Sequence, residues 1–322
     1  MTTPTAPAGA DPGPTGRGSS VFGGGSGVAG GGVLGGGSGV AGGGSSVFGG
    51  ASGVAGGGSG VAGGGGVVGG GTARDRAVDV ANQVGARLLH GLERFVVRSS
   101  LVPTTPFLPT STFDWIPRLE ASWRTIRAEL DEVLGWQDAL PNFQDISLDQ
   151  ASITDDDGWK TYFFHAYGFR SEANCERCPR TAELLDSIPG LTTAFFSILA
   201  PGKRIGAHRG PWRGVLRYHL ALKVPEPASA AGISVGGETA HWEEGSSLLF
   251  DDGYEHHAWN GTDGVRVVLF ADVIRPLRPP ADQLNRALIW AIGRSPYVQD
   301  SKARHEAWEA RFQELRRRAP RD

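Results

Sequence analysis

The glycines of this chain set the limit on how much of it can fold. Most of its 50 glycines lie within residues 1–72, where the unit GSGVAGGG recurs at 25–32, 37–44 and 58–65, and SSVFGG at 19–24 and 45–50. Such a backbone has the most conformational entropy to lose and almost no side chain to bury in return. Residues 1–72 are therefore expected to be a disordered or loosely collapsed low-complexity tail. The tail lacks the Gly-X-Y period of collagen and the lysine of a phosphate-binding loop, so its glycines indicate neither a triple helix nor a nucleotide site. Roughly 250 residues remain, enough for one sizeable domain with helical flanks.

Four runs in the second half are rich in β-branched, aromatic and leucine residues: 192–200 (TTAFFSILA), 215–223 (VLRYHLALK), 246–250 and 265–274 (VRVVLFADVI). Gly and Pro turns such as Pro201-Gly202 and Gly236-Gly237 separate them. Short strands of this kind predict a mainly β, jelly-roll-type barrel. Period-two alternation puts Arg217 and His219 on one face of their strand, so both can point into one pocket.

The polar residues of this stretch include His208-Arg209-Gly210, then His256-His257, then Arg266. Two imidazoles on separate strands can meet at a barrel mouth and hold a borderline-hard metal, while arginine forks dock a dicarboxylate. His256 and His257 point to opposite faces of a strand, so either is a candidate ligand. Asp251, Asp252 and Glu255 are candidate carboxylate ligands, although acidic residues are common in turns before strands. Non-haem iron sites commonly combine two histidines with a carboxylate. The acid normally stands two residues after the first histidine, and Gly210 occupies that position. A lone histidine in an apolar strand, such as His219, is as readily a satisfied core residue as a site group.

Together with the wording FDDGYEHHAW at 250–259, these positions resemble the catalytic core of the aspartyl/asparaginyl β-hydroxylase family. The resemblance spans 107–276 and is densest over 197–276. It implies a double-stranded β-helix of the jelly-roll or cupin-like kind, with Fe(II) and 2-oxoglutarate as cofactor and co-substrate. This family carries glycine at the Gly210 position, so the implied metal ligands are His208 and His256 alone, with His257 where the family varies. By the same resemblance Arg266 pairs the distal carboxylate of 2-oxoglutarate with Ser197 as helper, and Arg217 and His219 surround the carboxylate beside the keto group. Trp242 matches a family tryptophan and is read as barrel packing. The implied reaction couples oxidative decarboxylation of 2-oxoglutarate to succinate with hydroxylation of an unactivated C–H bond.

The resemblance leaves the substrate as a peptidyl side chain or a lipid acyl group. In peptide-acting relatives an arginine stands two residues before the Arg217 position; here that residue is Val215, which argues against an acidic side chain. Two other function classes remain: a non-catalytic barrel binding a metal or carboxylate, and an interaction protein whose glycine-rich tail is the working part.

Around the barrel, helices are expected at 75–97, 114–134 (with Pro117 in its first turns), 281–292 and 300–318. The first has arginines around an apolar stripe and either packs on the domain or lies on a membrane surface. The last is highly charged and expected to face solvent or to pair. The expected organisation is a tail (1–72), an amphipathic helix and linker (73–106), the oxygenase domain (107–278) and a helical extension (279–322). The only cysteines, Cys175 and Cys178, are too few for a four-ligand zinc site; they are read as part of a turn at Cys178-Pro179, with a redox pair as the alternative. No signal sequence or apolar run of membrane-spanning length is evident, so a reducing cytoplasmic setting is the default expectation, with membrane contact through 75–97 the sharper option. A net charge of −3 leaves no nucleic-acid footprint.

Overall fold

The computed structural model describes residues 90–147, 153, 154 and 156–318. The glycine-rich segment and most of the 75–97 helix lie outside the described residues.

Strand patterning explains the architecture. In β4 (Leu191–Leu199), β6 (Val215–Lys223) and β11 (Arg266–Ile274) nearly every side chain is buried. This burial requires cover on both faces. Along β11, Val267, Leu269, Ala271 and Val273 enter one apolar cluster with Ile116, Leu119, Ile126 and Leu130 of the helices behind. The alternate residue Val268 enters a second cluster with Ile233, Val235 and Ala258 of the facing sheet. Each such side chain contributes about 1.5–3 kcal/mol on leaving water.

The larger sheet has the order β1-β9-β6-β11-β4-β2-β3, with β1 Phe107–Leu108, β2 Trp159–Ala166, β3 Phe169–Arg170 and β9 Ser247–Phe250. The smaller has the order β5-β10-β7-β8, with β5 Arg204–His208, β7 Ala231–Val235, β8 Glu238–His241 and β10 His256–Asn260. All the pairings are antiparallel. Two such sheets packed face to face, with helices on the outside of the larger one, form a double-stranded β-helix. β7 and β8 are joined by Gly236 and Gly237, both at positive φ, which suits a tight two-residue hairpin.

The strand expected at 215–223 and the helix at 281–292 coincide with observed elements, the strand expected at 192–200 is shifted by one residue, and those expected at 246–250 and 265–274 begin one residue later. The expected 114–134 helix is two: Ile116–Ala121 and Trp123–Leu134, interrupted where Ser122 leaves helical geometry. The last helix, Pro296–Arg318, does more than face solvent. Val298, His305, Trp308 and Phe312 are buried along it, and the Trp308 indole N–H donates to the Ala139 carbonyl at 2.8 Å. Cys178 is the joint between helices Glu172–Arg177 and Pro179–Asp186. Both cysteines are free and buried, and burial pushes the Cys175 and Cys178 thiols up to about 11 and about 12. They are protonated at neutral pH and poor redox nucleophiles.

Candidate active site

His208 closes β5 and His256 opens β10, and the two strands pair with these residues directly opposite one another. Their ring centroids lie 4.1 Å apart. His208 Nδ1 is 2.8 Å from the Gly206 carbonyl oxygen and His256 Nδ1 is 2.9 Å from that of Tyr254. A proton on each Nδ1 therefore donates to the backbone, and each Nε2 keeps its lone pair. Burial, reinforced by Arg217, lowers the His208 and His256 pKa values to about 4 and about 3, so both rings are neutral at pH 7. This pair is poised to ligate a metal. His257 is exposed beside Trp259.

Deeper in the barrel, Arg266 is 1% exposed. Its guanidinium lies over the Trp242 ring and makes one long hydrogen bond, from Nη1 to the Ser197 carbonyl at 3.5 Å. It has no carboxylate partner among the described residues. Burial alone pushes it down to about 9. Next to it, both ring nitrogens of His219 are buried and unpartnered, as are Thr161 Oγ1 and Trp242 Nε1. Burial and the nearby Arg266 hold His219 neutral. Leaving several buried polar groups unsatisfied costs about 1–3 kcal/mol each, and a buried cation without an anion costs more. Such a pocket could hold an anionic ligand. The Ser197 hydroxyl accepts from Trp159 Nε1 at 3.0 Å and so lines the same interior.

Arg217 stands in a different environment. Its Nε and Nη2 meet Asp272 at 2.8 and 3.0 Å, and Nη2 meets Asp252 at 2.8 Å. Nη1 is 3.5 Å from His256 Nε2. Burial pushes Asp252 up to about 7 against the pull of Arg217. Asp252 also explains Gly210: a Cβ there would overlap the Asp252 carboxylate. Beyond His208 opens a cavity of about 170 Å³ walled by Phe143, Phe163, Phe195, Phe270 and Val298, with Arg217 and Asp272 at its inner end.

Residues 120–276 match the family described as aspartyl/asparaginyl beta-hydroxylase. The chain is 48% identical over 207 residues to the ornithine lipid ester-linked acyl 2-hydroxylase of Rhizobium tropici, covering 64% of this chain and 74% of that one. The chain belongs to the aspartyl/asparaginyl β-hydroxylase family. It is also 33% identical over 206 residues to aspartate beta-hydroxylase domain-containing protein 2 of Rattus norvegicus, and 30% identical over 184 residues to human aspartyl/asparaginyl beta-hydroxylase. These matches cover 60% and 56% of this chain but only 57% and 23% of those proteins.

For a member of this hydroxylase family the placement of the residues singled out in the sequence is informative. His208, His256, His219, Arg266 and Ser197 converge on the barrel interior. Arg217 converges too, but two carboxylates already hold it, so it differs from the expected open carboxylate reader. The acidic alternatives are turned elsewhere: Asp251 pairs with Arg213 and Arg275 at 2.6 Å each, Asp252 with Arg217, and Glu255 is exposed. Val215 sits in a buried apolar cluster with Trp212, Leu277 and Ile289. An arginine there would be buried among apolar groups. Thr161, Trp159 and Asp272 were missed. Their signals were the aromatic run WKTYFFHA and one acid spaced evenly from Arg266 along an otherwise apolar strand.

Proposed function

We propose that this chain is an Fe(II)- and 2-oxoglutarate-dependent hydroxylase whose substrate is a lipid acyl chain. The observation that carries the cofactor reading is Arg266, a buried guanidinium with no carboxylate partner among the described residues, beyond two neutral histidines whose Nδ1 atoms face backbone carbonyls. His208 and His256 would hold the iron, and Arg266 would pair the distal carboxylate of 2-oxoglutarate. When bound, iron and 2-oxoglutarate supply the oxidation of a C–H bond by O2, with succinate and CO2 as co-products. The protein's part is placement and exclusion of water. Asp252 and Asp272 fix Arg217 beside His256, and His219 sits between Arg266 and the histidine pair as a neutral ring able to donate one hydrogen bond.

The acyl reading is supported by the cavity that reaches His208, whose lining includes Phe143, Phe163, Phe195 and Phe270 together with Trp159 and Val298. An alkyl chain satisfies such walls, whereas an aspartyl carboxylate would enter beside Asp272 with Arg217 already occupied. The activity named for the Rhizobium tropici relative agrees with this substrate class. The test is succinate formation by the Fe(II)-loaded protein with acyl lipids and with aspartyl peptides, with mass spectrometry locating the added oxygen. Stimulation by lipids and an oxygen in the acyl chain is expected. Efficient hydroxylation of an aspartyl peptide would overturn the substrate assignment, and no dependence on 2-oxoglutarate would overturn the chemistry.

A further inference from the structure

Exposed large apolar side chains are few among the described residues: Phe95, Leu101, Leu284, Trp290, Tyr297 and Leu315. Five of the six lie on two segments, 95–101 and 284–297, and these segments are joined. The Leu101 N–H donates to the Pro276 carbonyl at 2.9 Å and the Arg278 N–H to that of Ser99 at 2.8 Å. Behind them Leu92, Val96, Leu277, Ala281 and Ile289 share one buried cluster. Helix Ala281–Ile292 turns Ala281, Asn285 and Ile289 inward, so its helical period carries Gln283, Ala287 and Trp290 outward. Trp290 is 61% exposed, with the Arg294 guanidinium 3.8 Å from its ring centroid.

The charge on these segments opposes that of the whole protein. Residues 90–98 and 278–294 carry five arginines (Arg94, Arg98, Arg278, Arg286 and Arg294) against two acids, Glu93 and Asp282, in a chain of net charge −3. All five arginines are exposed. The end of the same helix borders the cavity: Gly293 packs on the Tyr167 carbonyl, and Tyr167 and Tyr297 both line the cavity. Tryptophan with arginine above an apolar face suits the boundary between headgroups and acyl chains, and arginines are drawn to anionic headgroups. Among the described residues no helix is long and apolar enough to cross a membrane.

We propose that this face docks the protein on an anionic phospholipid bilayer, with Leu284 and Trp290 entering the interface and the arginines contacting headgroups. The inference deepens the acyl-substrate reading, because the helix that carries the face ends beside Tyr167, a residue of the cavity wall. The test is co-sedimentation of the full chain with vesicles of phosphatidylcholine alone and of equimolar phosphatidylcholine and phosphatidylglycerol. Binding to the anionic vesicles only, weakening as salt rises, is expected. Leu284→Ser with Trp290→Ala, and separately Arg286→Glu with Arg294→Glu, should each weaken it about tenfold, while Leu315→Ser on the last helix leaves it unchanged. No vesicle binding, or equal binding by the double variants, overturns the proposal; the second result would assign the face to a protein partner instead. Turnover of detergent-dispersed acyl lipid separates the two readings. Variants that keep it while losing turnover on vesicles support docking. Absence of acyl turnover by the unaltered protein, with vesicle binding intact, defeats the substrate reading and leaves the docking face standing.

Discussion

Two arginines of the barrel, the half-buried Arg217 and the fully buried Arg266, sit in opposite electrostatic worlds. Arg217, at the inner end of the apolar cavity, is gripped by Asp252 and Asp272. Arg266, deeper in, has an indole face and one long hydrogen bond. A paired buried cation is a part of the scaffold, whereas an unpaired one is a cost the folded protein carries until an anion arrives. The contrast separates an arginine held by carboxylates from one with none among the described residues, although both lie in apolar strands.

The largest effect should come from the histidines between these regions. If the proposed iron site is right, His208→Ala or His256→Ala is expected to abolish 2-oxoglutarate turnover, because each would remove one of the two proposed protein donors, while His257→Ala retains most of it. Succinate release measures this. A dead His257→Ala with an active His256→Ala would shift the metal to the outer face of β10.

The arginines themselves come next, and their signs should differ. Arg217→Met leaves Asp252 and Asp272 buried without their cation and is expected to destabilise the ligand-free protein by about 3–5 kcal/mol, read from denaturant unfolding. Arg266→Met removes an uncompensated charge, so the ligand-free protein should keep or gain stability while losing 2-oxoglutarate binding. The milder Arg266→Lys should weaken that binding by about 1.5–3 kcal/mol, since a point charge replaces a two-pronged donor. Equal destabilisation by Arg217→Met and Arg266→Met would erase the distinction.

The barrel was legible in the sequence because its central strands, covered on both faces, are long apolar runs. Of the candidate site, spacing in the sequence placed only Arg217 and His219 on one strand face, while His208 and His256 lie outside the expected runs and were singled out by the family resemblance. Pairing was not legible. Nothing in the sequence says that Asp272 reaches Arg217, since that contact crosses from β11 to β6, or that Asp252 fills the space above Gly210. The charged last helix misled for a related reason: a few buried residues among many polar ones, Trp308 and Phe312 above all, are enough to seat a helix.

Unsatisfied and satisfied rings set up a pH contrast. His305 is buried with Nε2 2.9 Å from the Ser171 hydroxyl and Nδ1 unpartnered, and burial lowers its pKa to about 4. Its folded pKa lies below the unfolded value, so acid favours the unfolded chain: stability is full above about pH 6.5 and falls from there toward pH 4. At pH 5 His305 alone should cost about 2 kcal/mol, and His208, His219 and His256 act in the same direction. His305→Gln should flatten the decline between pH 7 and 5 in denaturant melts; an unchanged slope would mean the ring already titrates normally.

The smallest effect is expected where glycine leaves the chain with the fewest side chains. Deleting 1–72 removes most of the glycines and only a scattering of Val, Ala and Phe, so it takes away little apolar area. The melting temperature and 2-oxoglutarate turnover of the remaining 250 residues should be nearly those of the full chain. Vesicle binding should also survive the deletion, because the arginines and tryptophan of the docking face all lie at 90–98 and 278–294. A melting temperature lower by many degrees would mean that the glycine-rich repeat packs on the barrel, and would make the tail part of the scaffold that holds Arg217 and Arg266 apart.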